Sequence, residues 1–173
     1  MKRLFLFCLV FLSAACGTTS QNVATSAPTV ESGSLSVSSF KASVSGAVTQ
    51  DFSGTASYFK QNGGGFLITL VDTKSASGAT ITIILPTGTV AGSYTPKSYE
   101  DAYDSTTNKI TAIGASFSVL NKTKGIDTYA TISDGKLNLQ SVDPMTGSID
   151  FKAKMTNGGE VEVTATFYQL IAA

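Results

Sequence analysis

The stretch Ser148-Ile149-Asp150-Phe151-Lys152-Ala153-Lys154-Met155-Thr156-Asn157-Gly158-Gly159-Glu160-Val161-Glu162-Val163-Thr164-Ala165-Thr166-Phe167 decides the fold. Apolar side chains fill the odd positions from Ile149 to Met155 and again from Val161 to Phe167. Successive side chains of a strand point to opposite faces, so this period of two describes two strands with one buried face each. The asparagine and glycines between them make a hairpin. A two-residue loop would set Met155 opposite Glu160 and carry a carboxylate into the core. A three-residue loop, Asn157-Gly158-Gly159, instead pairs Met155 with Val161, Ala153 with Val163 and Lys154 with Glu162. The three-residue loop is the expected one.

The same reading extends outward. Ile126, Ala130 and Ile132 share one parity, and Leu137 and Leu139 share the other. Asp134-Gly135 between them reads as a two-residue type I′ loop, with Ile132 facing Leu137 and Ala130 facing Leu139. Asp143-Pro144-Met145-Thr146-Gly147 turns the chain into the next hairpin, and a four-stranded C-terminal meander is expected. Further back, Phe66 to Val71 and Ile81 to Leu85 are short, nearly continuous apolar runs. Such runs read as strands buried on part of both faces. Gly63-Gly64-Gly65 breaks the chain before the first and Pro86 ends the second. Val44, Val48, Phe52, Ala56 and Tyr58 fall on one parity, as a long bent strand or two in tandem. Strand character returns at Ile113, Ala115, Phe117 and Val119. The fold expected is all-β, a mainly antiparallel β-sandwich or partly closed barrel of seven to nine strands. A membrane-spanning barrel is set aside, because several strands fall short of the 9–11 residues a span needs.

The N-terminus has a different grammar. Lys2 and Arg3 are basic, Leu4 to Leu12 is apolar apart from Cys8, and Ser13-Ala14-Ala15 are small. This is the three-part pattern of a secretory signal, too short for a transmembrane helix. With Cys16 next, the stretch resembles a bacterial lipoprotein signal. That resemblance implies cleavage before Cys16 and a diacylglycerol on its thiol. Cleavage at Ser13-x-Ala15 by the ordinary peptidase, leaving a soluble protein with a free cysteine, is the alternative. Residues 17–39 are rich in Ser, Thr, Ala and Val with a single charge, Glu31. They read as a flexible linker. The expected organisation is a signal peptide over 1–15, the lipidated cysteine and linker over 16–39, and a β domain over 40–173.

Around Gly135-Lys136-Leu137-Asn138-Leu139, Val142-Asp143, Gly147-Ser148-Ile149-Asp150-Phe151 and Thr166-Phe167, the chain looks like uncharacterised bacterial lipoproteins carrying a β-rich domain of unknown function. The likeness spans the last third. It implies a fold and a place in the cell envelope, and it carries over no activity and no site residues.

Composition narrows the function classes. The chain has 12 basic and 12 acidic residues and no histidine. Without Lys2 and Arg3 the mature chain has 10 against 12, a net of −2, and no arginine. A duplex-binding surface needs clustered Lys and Arg, so nucleic acid is not an expected partner. The lack of histidine removes the commonest general base and transition-metal ligand. The two cysteines are Cys8, lost with the signal, and Cys16, so the mature chain forms no internal disulfide.

No nucleophile elbow, phosphate loop, dinucleotide fingerprint, calcium hand or zinc spacing is present. Glu100, Asp101, Asp104 and Asn108 offer oxygens for calcium, but match no ligand loop, and a solvated acidic loop is the default. Asp143 and Asp150 could be set up as a glycosidase pair, but turn chemistry and solvation explain both. No cofactor and no metal are expected. Thr95 to Asn108 is the one long stretch after the linker without strand character, and long loops are often functional. Tyr99 and Tyr103 on it and Tyr94 just before it are the candidate ligand-binding residues, since tyrosines supply rigid amphipathic surface for a glycan or a protein. Rings capping the open end of the core are the plainer alternative.

The expected function is a non-enzymatic binding or structural module on the bacterial cell envelope, anchored through its lipid at the outer membrane. The alternatives are an adhesin or fimbrial-type subunit accepting a donor strand at a sheet edge, and a hydrolase with an unfamiliar site.

Overall fold

The computed structural model describes residues 38–74, 78–121, 125–129, 131–155 and 158–173. The expected signal peptide, Cys16 and nearly all of the expected linker therefore lie outside the described residues, as do Thr156, Asn157 and Ala130. The long strands are β1 (Ser39–Gly46), β2 (Gln50–Lys60), β3 (Phe66–Val71) and β4 (Thr80–Leu85). The short elements β5 (Gly92–Tyr94), β6 (Lys97–Ser98), α1 (Tyr99–Ala102), β7 (Tyr103–Asp104) and β8 (Lys109–Ile110) follow. The chain ends with β9 (Gly114–Asn121), β10 (Gly125–Tyr129), β11 (Thr131–Val142), β12 (Met145–Lys154) and β13 (Glu160–Ala172). The described residues are all-β, 68% strand and 3% helix.

One curled sheet, a half-barrel of 10 strands, accounts for almost all of it. Its order is β10-β9-β4-β3-β2-β1-β13-β12-β11-β5, with β6 added on β9. The barrel reading of the sequence is thus the apt one, rather than two stacked sheets. β1 sits between β2 and β13, so the first and last long strands pair, with Phe40 opposite Phe167 and Val44 opposite Val163. The concave side holds one core, in which Phe40, Phe117, Phe151 and Phe167 are fully buried. Each of these phenylalanines lies on the odd or even set that alternation assigns to the inside. The two strands in tandem over Val44–Tyr58 are β1 and β2. The triple glycine turns β2 into β3, with Gly64 and Gly65 at φ +85° and +87°.

The β12–β13 hairpin keeps the expected faces and changes the expected partners. Ala153 pairs with Val161 and Phe151 with Val163, while Lys154 opposes Glu160 and Lys152 opposes Glu162. Met155 N donates to Gly159 O at 2.7 Å, so the hairpin closes on the pair Met155 and Gly159, one residue earlier than expected on the β13 side and the β12 side alike. Gly158, at φ +89°, takes the left-handed position that closes such a loop. Sliding a three-residue loop by one residue moves the register by two, and a shift of two leaves every side chain on its face.

The Asp134-Gly135 loop is overturned. β11 runs straight through it, pairing Asp134 with Lys152 and Gly135 with Phe151, with a bulge after Ile132. Gly135 is glycine because strands are close here: a Cβ would lie 2.7 Å from Phe151 Cβ. The tight turn is instead Asp143-Pro144, with a cis peptide bond, and Val142 pairs with Met145 across it. Met145, Thr146 and Gly147, expected in the turn, are already in β12. The meander is therefore three strands, β11-β12-β13, because β10 pairs with β9, Ile126 opposite Leu120.

Candidate functional site

The site is built on the convex face of β2, β3, β4 and β9. Their inner positions, among them Tyr58, Ile68, Ile83 and Ala115, belong to the core, so alternate residues face outward. Register arranges those outer residues in rows across the strands. One row is Phe59, Leu67, Ile84 and Gly114. The next, two residues along each strand, is Ser57, Thr69, Thr82 and Ser116.

The segment 99–112 stands on the apolar row. Buried Ile84 meets Ala102 and Ile110, with Leu67, Tyr99, Tyr103 and Ala112 around them, as a second small core outside the sheet. Gly114 makes room for α1, since a Cβ there would come 2.5 Å from Ala102 Cβ. Thr111 N donates to Ala102 O at 2.9 Å, and β7 pairs with β8 through Tyr103 and Ile110. Ser98 Oγ accepts from Ile132 N at 2.9 Å, which fastens the start of the segment to β11. The stretch expected to lack secondary structure thus holds one helical turn and a small hairpin, too short to register as periodicity.

Tyr99 and Tyr103 lie together on this segment, half-buried, with ring centroids 5.8 Å apart. Burial, and then the neighbouring Tyr103, hold the Tyr99 hydroxyl above the ordinary tyrosine range. Tyr99 therefore stays protonated at neutral pH, a hydrogen-bond donor rather than a base. The Tyr103 hydroxyl bonds Asn108 Oδ1. Tyr94 is elsewhere. It sits on β5 opposite Leu137, packs against the main core, and its hydroxyl donates to Val90 O at 2.8 Å. Of the three tyrosines read from the sequence, the structure brings two together.

The acidic residues have local work. The Asp104 carboxylate accepts from the Thr107 hydroxyl at 2.6 Å and from the amides of Thr106 and Thr107 at 2.9 and 3.3 Å. These bonds, the Thr107 hydroxyl first, lower its pKa and hold the β7–β8 turn. Glu100 and Asp101 are exposed in α1. Asp143 occupies the hairpin turn, and Asp150 lies exposed on β12 opposite Lys136.

Sequence reasoning missed a hollow of about 460 Å³ at the β2 end of the hydroxyl row. Thr55, Ser57 and Thr69 line it together with Phe59, Val71 and Ile171. These last three are 43%, 36% and 57% exposed, a high value for large apolar residues. Ile171 arrives there because β13, with Gln169 at φ +46°, runs on past Tyr168, its last partner to β1, and pairs in parallel with β2, Ile171 beside Ser57. The usable signal was Phe59, an aromatic on the polar parity of its strand. The sequence matches no known family model, and no curated protein or solved structure is similar to it.

Proposed function

We propose that this chain is an exported protein of the bacterial cell envelope, held at the outer membrane by acyl chains on Cys16, and that it acts there as a non-enzymatic binding module. The observation that carries this reading is the order Lys2-Arg3, Leu4 to Leu12, Ser13-Ala14-Ala15-Cys16, followed by a β body whose first strand among the described residues begins at Ser39. Each buried methylene contributes roughly 0.8 kcal/mol, and two or more acyl chains anchor stably where one does not. The binding part is supported by the convex face: a pair of half-exposed tyrosine rings beside a row of uncharged hydroxyls is chemistry for contact, not for proton transfer. Cell fractionation tests it. Wild-type protein should partition with outer membranes, and Cys16→Ser should be found as uncleaved precursor or soluble protein. An unchanged distribution of Cys16→Ser would refute the anchor.

A further inference from the structure

We propose that the convex face of β2, β3, β4 and β9 binds a strand of neutral polysaccharide, laid across the strands along Ser57, Thr69, Thr82 and Ser116. This deepens the binding-module reading and rests on it.

The row presents four hydroxyls in register on four neighbouring strands. None of the four is hydrogen-bonded by another group among the described residues. Adjacent strands are roughly 4.8 Å apart, so the row runs about 14 Å at close to one pyranose unit per strand. Along one side stand Phe59 and the segment carrying Tyr99 and Tyr103, on the adjacent row through Leu67 and Ile84. Aromatic faces beside hydroxyls fit a sugar ring, which offers apolar C–H faces and a rim of hydroxyls together.

The hollow at the β2 end decides among occupants. Its rim of Phe59, Val71 and Ile171 would suit any apolar body, but Thr55, Ser57 and Thr69 share the lining. A purely apolar occupant would strip water from those hydroxyls and return no hydrogen bond, which is costly. Among the described residues no charged side chain lines the hollow, so an anionic chain would find no counter-charge among them. A neutral polyhydroxyl chain satisfies both the rim and the hydroxyls.

The test is biolayer interferometry of the mature full chain on an immobilised mannan, α-glucan and β-glucan, with dextran sulfate as anionic comparator. At least one neutral polysaccharide should bind, with little dependence on salt. The double variant Ser57→Ala/Thr69→Val should weaken binding by roughly tenfold or more, as two lost hydrogen bonds require. Phe59→Ala and Thr82→Val should each weaken it several-fold. Thr164→Val/Thr166→Val, on the outer face of β13, should leave it unchanged, with wild-type melting curves for all. Loss of binding by Thr82→Val alone keeps the proposal supported should the double variant not fold. The proposal is overturned if no neutral polysaccharide binds, or if folded Ser57 and Thr69 variants bind like wild type. It is equally overturned if dextran sulfate alone binds and salt abolishes it, or if unlipidated Cys16→Ser chain binds phosphatidylethanolamine vesicles through Phe59 instead. Lipid on Cys16 without polysaccharide binding would end this proposal and leave the envelope reading standing. Polysaccharide binding by wild-type protein whose Cys16 carries no lipid would do the reverse.

Discussion

Replacing Gly135 separates the two roles that an Asp-Gly pair can play. In a type I′ turn Gly135 would need positive φ, where asparagine is well tolerated and alanine is not. In β11 it needs no such φ, and what matters is the strand opposite. A Cβ on Gly135 would meet Phe151 Cβ at 2.7 Å and Asp150 O at 2.9 Å. Both are main-chain or first-carbon atoms, so no rotamer change relieves the contact and the strands must part. Gly135→Ala should therefore cost about 1–3 kcal/mol, the range for overpacking. Gly135→Asn carries the same Cβ and adds an amide on the face toward Phe151, costing a further ~1–3 kcal/mol if unpaired. At roughly 3–4 °C per kcal/mol for a domain of this size, Ala should lower Tm by about 3–12 °C and Asn by more. Shortening the neighbour should not rescue it, because Phe151→Ala keeps the Cβ that clashes. Urea and thermal unfolding followed by far-UV circular dichroism measure both variants. If Gly135→Asn proves milder than Gly135→Ala, the residue is in a turn, and the pairing of β11 with β12 at this point is wrong.

Phe151→Ala, at a side chain 2% exposed, should destabilise by roughly 3–5 kcal/mol in the same assay, while Lys154→Ala on the outer face should cost less than about 0.5 kcal/mol. Tyrosine absorbance at alkaline pH should show a group titrating above the ordinary tyrosine range, and Tyr99→Phe should remove it. Because the folded Tyr99 pKa is raised above its unfolded value, its contribution to stability is complete below about pH 10 and is lost as pH rises through the folded value. Tyr99→Phe should therefore flatten the alkaline fall in Tm, and an unchanged profile would count against the burial of that hydroxyl.

Alternation was legible wherever a single parity persisted. The inward set Ile149, Phe151, Ala153, Val161, Val163, Ala165 and Phe167 could be listed from the sequence, and all seven are buried. Partner choice was less legible, because Asn157-Gly158-Gly159 admits a three-residue loop at neighbouring positions that bury the same faces. Gly135 misled because glycine marks both a turn and a close approach of strands, and only the partner strand tells them apart. Asp143-Pro144 hid its turn because Met145, Thr146 and Gly147 also read as turn residues, although they begin β12. The site was half-visible. Tyr99 and Tyr103 stood out by density on a non-strand segment, whereas Ser57, Thr69, Thr82 and Ser116 become a row only once four strands are placed in register.

The anchored-module account is tested most directly by intact-mass and N-terminal peptide analysis of the protein purified from its own membranes. The account predicts a mature chain that begins at Cys16 and is heavier than its sequence by a diacylglycerol and any further acyl chain. An unmodified Cys16, or a mature terminus at any other residue, would contradict it and leave a soluble exported β protein in its place.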